Sequence, residues 1–440
     1  MTAFVFLGSL LGLIALGLPI AFALMFAGVA LMVLIGQFDA QIVVQNAIAG
    51  ADNFVLMAVP FFILAGEFMN AGGLSKRIVN MASAFVGHLR GGLGYVAICA
   101  GILLASLSGS AVADTAALAA ILVPMMRRAG YDPARACGLM AASGIIAPVI
   151  PPSIGFLIFG VVANVSITRL FLAGIVPGIL MGLFLTVAWW FVARRQKAAL
   201  TPRVPWKQRL RLLGQGGWAL MLPVIIIGGL RFGIFTPTES AVVAAAYALF
   251  VGVAVYRELS WRKVYECLLS TAQTTAVVLL LAALAMVASY MITITDISGQ
   301  VGGWLSSLSD HPLVLVSAMM LVVFFAGMVL DFIPIVLIFT PVFMPIIQAA
   351  DIDPVYFGVI FIMNCSIGMI TPPVGVVLNV VSSVGKVSMA QASRGIAPFL
   401  LALVALLIAL ILFPRTGDRA RPVVALAPGV PSDSTQGDIP

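Results

Sequence analysis

Residues 150–156 read IPPSIGF and residues 371–376 read TPPVGV, and each stretch lies inside an apolar run long enough to cross a bilayer. A proline in a helix interior removes a backbone donor and clashes with the preceding turn, at a cost of about 3 kcal/mol. Two adjacent prolines at membrane depth break the helix. A chain that does this twice must use the backbone groups it releases.

The rest of the sequence says what kind of chain this is. Apolar residues make up 62% and charged residues 9%, against about 25% charged in an ordinary soluble domain. Runs of about 17–25 apolar residues recur throughout, and none shows the short alternation of a β-barrel, so the chain reads as an all-α polytopic membrane protein. Residues 3–36 are apolar and the first basic residue is Lys76, which suits a retained membrane helix better than a cleaved signal. The net charge of +7 fits basic cytoplasmic loops rather than a nucleic-acid surface. Cys99, Cys137, Cys267 and Cys365 have no ligand spacing, and His88 and His311 stand apart. A histidine-based metal site or a Ser-His triad is thereby disfavoured.

The longest polar interruption, 194–217, carries seven Lys or Arg and no acid. It separates two repeats, 1–193 and 218–414. VPMMRRAGYDP ends at Pro133 and MPIIQAADIDP ends at Pro354. From Asp132 to Pro151, and from Asp353 to Pro372, is nineteen residues in each case, a constant offset of 221. Upstream, Asp114 and Asp331 align only with a gap of four residues. Each repeat opens with three spans (3–18, 20–36 and 53–72; 218–234, 239–256 and 267–293). A segment too long for one helix follows, 93–128 or 313–348, and then a Pro-Pro-broken helix, 134–163 or 354–385. The final spans are 171–193 and 396–413, and 415–440 reads as a polar, disordered tail.

Placing 194–217 in the cytoplasm gives the repeats opposite orientations, provided that 93–128 and 313–348 are re-entrant hairpins. The first enters from the cytoplasm and the second from outside. Eighteen of the 23 basic residues then face the cytoplasm, the expected bias. Inverted repeats with hairpins and broken helices are the pattern of secondary transporters, whose sites lie near the bilayer midplane.

The tip of the first hairpin is SLSGSAVAD, 106–114. Gly109 permits a turn, Ser108 and Ser110 supply hydroxyls, and Ser110 can cap the next helix. Asp114 is an intramembrane acid and so a candidate functional group. In the second hairpin Gly327 is the turn candidate and Asp331 the matching acid. Each tip should face the break of its own repeat, giving Ser108, Gly109 and Ser110 with Pro151, Pro152 and Ser153, and Gly327 and Asp331 with Thr371, Pro372, Pro373 and Gly375. Such clusters of carbonyl and hydroxyl oxygens suit a hard monovalent cation. Asn364 and Asn379 flank the second break and either face the cavity or join helices. Glu239 follows Thr238 at a helix start, where a structural role is favoured, and Glu67 reads as a scaffold contact.

SGSAVAD, GYDPARACGLMAASGIIAPVIPPSIGFLIFG, FLAGIVPGILMG, FTPTESAVVAA and NCSIGMITPPVGVVLNV closely resemble the large membrane subunit of TRAP transporters (DctM/SiaM type). The resemblance runs from about residue 4 to 413. It implies an inverted-repeat, elevator-type importer of the bacterial inner membrane, driven by Na+ as coupling ion and needing no other cofactor. It further implies an organic acid substrate, usually a carboxylate, delivered by a periplasmic binding protein, and a separate small membrane subunit. Carried over by motif, Na+ falls at the two tip–break pairs. Substrate falls between the tips, with Ser108, Ser110, Asp331, Asn364 and Asn379 as its candidate contacts. A stand-alone cation-coupled organic-anion carrier of similar design is the alternative. An intramembrane enzyme using Asp114 and Asp331 would leave the repeat and both breaks unexplained.

Overall fold

The structure is a computed structural model that describes residues 1–196, 202–306 and 311–413. The proposed tail at 415–440 lies outside the described residues. Helices make up the fold. The first repeat holds α1 (Thr2–Ala15), α2 (Ile20–Leu34), α3 (Ala40–Ala51), α4 (Ala58–Ala71), α5 (Leu74–Val86), α6 (Gly92–Ser108), α7 (Ala111–Arg128), α8 (Pro133–Gly144), α9 (Ile154–Ala163) and α10 (Ile167–Ala193). The second holds α11 (Trp206–Arg231), α12 (Pro237–Phe250), α13 (Trp261–Ile294), α14 (Ile297–Ser306), α15 (Pro312–Gly327), α16 (Phe332–Ala349), α17 (Pro354–Gly368), α18 (Val376–Gly385) and α19 (Met389–Leu412). Among the described residues, seven helical segments are long and apolar enough to cross a membrane.

The Asp-Pro landmarks are helix starts. Asp132 accepts from the Ala134 amide at 3.1 Å, and Asp353 accepts from Val355 at 2.7 Å, each with proline at the first helical position. An N-cap carboxylate satisfies an orphan amide, and a proline there forfeits no hydrogen bond. Asp353→Ala should cost about 1 kcal/mol and lower the thermal midpoint in detergent by about 2 °C. An unchanged midpoint would argue that the cap is redundant.

The double prolines, nineteen residues after each cap, lie inside a break in the helix. Helical geometry is lost between α8 and α9 over 145–153, and between α17 and α18 over 369–375. Both Pro-Pro bonds, Pro151–Pro152 and Pro372–Pro373, are cis.

Packing between the repeats is reciprocal. α12 packs on α4 as α13 packs on α2; α7 packs on α18 as α16 packs on α9. α8 meets α19 as α17 meets α10, and α11 meets α5 as α1 meets α14. Such exchange, in which one surface meets a second and the second's counterpart meets the first's, is the mark of a two-fold relation. Side chains bind the exchange together. Arg127 of α7 donates to the Gly385 carbonyl at the end of α18 at 2.9 Å, and Arg135 of α8 donates to the Arg394 and Gly395 carbonyls of α19. At the C-terminus of α18 the Arg127 guanidinium meets both a free carbonyl and the negative dipole end. Trp189 of α10 is fully buried beside Tyr131 and Phe399, and its indole N–H donates to the Gly91 carbonyl at 2.8 Å.

Three elements depart from the sequence reading. α3, α5 and α14 are helices outside the expected spans. α5 is amphipathic, with Lys76 and Arg77 in its first turn, so a reading keyed to apolar runs passes over it. The basic linker 194–217 is helical from Trp206 onward, continuous with the following span. Leu, Arg, Lys and Gln there are good helix formers.

Candidate functional site

The first tip is built by local hydrogen bonding. Gly109 ends α6 in the left-handed conformation, φ +62°, and Ser110 caps α7 by accepting from the Ala113 amide at 3.4 Å. Ser108 Oγ accepts from the Ser110 amide at 3.1 Å and donates to Asp114 Oδ1 at 2.5 Å. Asp114 is buried, 1% exposed, and its second carboxylate oxygen has no hydrogen-bond partner.

This tip sits on the first break. A Cβ at Gly109 would overlap the Pro152 carbonyl oxygen and meet Ser153 Cα at 3.3 Å. Pro151, Pro152 and Ser153 are buried. Ser153 bridges the break, donating to the Pro148 carbonyl and accepting from the Phe156 amide at 3.2 Å to cap α9. Thus Ser108, Gly109 and Ser110 come together with Pro152 and Ser153.

Sequence reasoning missed two residues here. Thr115 of α7 and Ser143 of α8 are fully buried, and their hydroxyl oxygens lack partners. Thr115 packs directly on Gly144, and Ser143 packs where a Cβ on Gly101 of α6 would meet it at 2.9 Å. Both sit among apolar neighbours, where a hydroxyl reads as helix packing. The signal that could have found Ser143 is the offset itself: 143 plus 221 is 364, the position of Asn364.

The second tip also meets its own break. Gly327 and Gly368 are in close backbone contact, a Cβ on Gly327 coming within 2.8 Å of Gly368 Cα. The Val374 amide donates to the Met328 carbonyl at 3.3 Å. Thr371 Oγ1 donates to the Ile367 carbonyl at 2.8 Å, and Gly375, φ +50°, begins α18. Pro373, Val374 and Asn379 are exposed and Pro372 is half-buried. Asn379 donates to the Val374 carbonyl at 3.2 Å.

Two assignments need correction. Asp331 is not the counterpart of Asp114. It is exposed and caps α16, accepting from the Phe332 amide at 2.7 Å. Helix starts align Asp331 with Ser110, since 110 plus 221 is 331, and Asp114 with buried Ile335. The gap of four residues is therefore not needed. The second is Asn364, which takes the helix-joining alternative: it is fully buried and donates to the Met320 carbonyl of α15 at 2.6 Å. Its carbonyl oxygen, like Ser143 Oγ at the matching position, lacks a partner. Glu239 completes a capping box with Thr236, and Glu67 accepts from Ser270 of α13 at 2.9 Å.

Among the described residues no three His, Cys, Asp or Glu side chains cluster as a metal site. What the first site offers is one carboxylate with neutral hydroxyl and carbonyl oxygens. Buried polar atoms are nearly always paired, yet Asp114 Oδ2, Thr115 Oγ1 and Ser143 Oγ beside the first break, and Asn364 Oδ1 beside the second, are among the described atoms without a partner. Oxygen donors of this kind suit a hard cation.

The profile of the DctM component of the tripartite ATP-independent periplasmic transporter matches residues 7–416. The chain is 52% identical to the 2,3-diketo-L-gulonate TRAP transporter large permease protein of Escherichia coli, over 94% of this chain and 97% of that one. It is 39% identical to the sialic acid TRAP transporter large permease protein of Vibrio cholerae, over 92% and 95%. Among solved structures, the YdaH transporter of Alcanivorax borkumensis superposes with a TM-score of 0.60 at 17% identity, over 85% and 88%, a likeness of fold. Paired tips and breaks, reciprocal packing and this match over nearly the whole sequence agree: the chain belongs to the DctM family, as the large permease component of a TRAP transporter, a multi-pass membrane transport protein and not an enzyme.

Proposed function

We propose that this chain imports an organic acid, a carboxylate, across the bacterial inner membrane, coupled to Na+. The acid arrives on a periplasmic binding protein, and a separate small membrane subunit completes the transporter. The observation that carries the reading is the seating of each hairpin tip on the break of its own repeat. Each seat gathers hydroxyl and carbonyl oxygens, and the first adds the half-paired Asp114 carboxylate. Ser108, Asp114, Thr115, Ser143 and the Pro152 carbonyl in the first repeat, with Thr371 and Asn364 in the second, are the groups that would hold Na+. Substrate would lie on the exposed side of the tips, near Asp331 and Asn379. The names of the similar permeases, 2,3-diketo-L-gulonate, sialic acid and C4-dicarboxylate, all denote acids.

The motion is of elevator type. The hairpins and broken helices, α6–α9 and α15–α18, move together with the helices that clasp them, because reciprocal packing makes them one body. α1–α4 and α11–α13 are the frame. Near the site the frame meets the mover at a glycine: Gly66 of α4 lies against Ser108, a Cβ there meeting Ser108 Cβ at 3.1 Å. The whole chain, 1–193 with 218–414 around the basic linker, then works as two inverted repeats that exchange roles between inward- and outward-facing states.

Uptake of radiolabelled acids into proteoliposomes holding this chain and its small subunit, with and without the loaded binding protein, tests the reading. Uptake should require the binding protein. Equal uptake without it would favour a stand-alone carrier.

A further inference from the structure

A groove of about 380 Å³ opens between α5, α11 and the segment that follows α12, lined by Arg77, Arg211, Gln215, Trp218 and Tyr256. Arg77 is fixed there: it pairs with Glu258 at 2.7 Å and its guanidinium stacks 3.8 Å over the Tyr256 ring. The Glu258 carboxylate balances Arg77, whereas exposed Arg211 has no ion pair among the described residues. Arg209 lies outside the groove, its guanidinium over the Phe85 ring and its Nε donating to the Val204 carbonyl at 3.0 Å. The groove therefore carries one unbalanced guanidinium, that of Arg211, beside the fixed Arg77, and a guanidinium fork is suited to a phosphate.

Its depth identifies the guest. α11 runs as WKQRLRLLGQGG and turns apolar from Trp218. Arg211, Gln215 and Trp218 recur at spacings of three and four and so share a face. That face continues to Met221, and both Trp218 and Met221 are exposed. Tyr247 and Tyr256 hydroxyls donate to the Trp218 and Gln215 carbonyls. Tryptophan and tyrosine gather at the level of lipid headgroups. A cationic groove at that level, continuous with an exposed apolar face, complements one molecule with an anionic head and an apolar tail.

We propose that this groove seats an anionic phospholipid, its phosphodiester between Arg77 and Arg211 and an acyl chain along Trp218 and Met221. Bound there, it would pin the amphipathic α5 to the frame helix α11 just before the first hairpin.

Native mass spectrometry of the delipidated full chain, titrated with phosphatidylglycerol, phosphatidylcholine or glycerol phosphate, tests this. Phosphatidylglycerol should bind more tightly than phosphatidylcholine, and Arg211→Gln should weaken it about tenfold, as expected for loss of a charge-assisted contact. Arg231→Gln, an exposed site at the far end of α11, should leave it unchanged. Trp218→Ala should also weaken the lipid, and it tests the apolar seat without touching the charge. Equal binding of the two lipids, or undiminished phosphatidylglycerol binding by both Arg211→Gln and Trp218→Ala, overturns the proposal. Displacement by glycerol phosphate alone would show a site for soluble anions instead. Displacement by added small subunit would show a protein interface.

Discussion

Gly109→Val is expected to abolish uptake in proteoliposomes while the protein still inserts and purifies. Two independent effects act at this position. The backbone is left-handed, φ +62°, a conformation in which a β-branched residue is an outlier costing about 1–3 kcal/mol. The added Cβ would also overlap the Pro152 carbonyl oxygen, and a backbone atom cannot swing aside as a side chain can. The tip must therefore lift from the break. A displacement of about 1 Å in a preorganised site costs on the order of a hundredfold in rate, so uptake should fall at least that far. Gly109→Ala keeps most of the clash and should fall between the two. Normal uptake by the valine variant would mean that tip and break need not close on each other.

The second large effect separates the two acids of the hairpins. Asp114→Asn should raise the Na+ concentration for half-maximal uptake by about ten- to a hundredfold, the range expected for losing one charged partner at about 1.5–3 kcal/mol. The substitution preserves shape but removes the charge, and its amide can present a donor where the unpartnered oxygen now lies. Asp331→Asn should change the Na+ requirement less than about twofold. Asparagine caps a helix as well as aspartate does, and Asp331 is exposed. Similar shifts in both variants, measured as initial uptake rate against external Na+, would contradict the assignment.

The contrast between these acids also shows where the sequence could be read and where it could not. The breaks and the Asp-Pro starts were legible because their chemistry is local. Proline ends a helix whatever surrounds it, and aspartate before proline caps one. The tip at Ser108–Ser110 was legible for the same reason. The pairing of Asp114 with Asp331 went astray because it matched acid with acid and inserted a gap to do so. Helix starts set the register instead, and they align two caps of different chemistry, Ser110 and Asp331. Thr115 and Ser143 could not be singled out, since a hydroxyl in a small-residue helix becomes informative only once its neighbours are seen to leave it unpaired. α5 and α14 escaped because neither short helix carries a long apolar run. The clasp of α7 on α18 and of α16 on α9 joins elements from different halves of the chain, which no local pattern encodes.

The central claim is that ions held where tips meet breaks drive the acid inward. It is tested most directly by loading proteoliposomes with equal internal solutions and varying only the external Na+, with acid-loaded binding protein outside. An inward Na+ gradient should drive accumulation above the external concentration, and equal Na+ on both sides should abolish that accumulation. Accumulation that is unchanged when the Na+ gradient is removed would contradict the account.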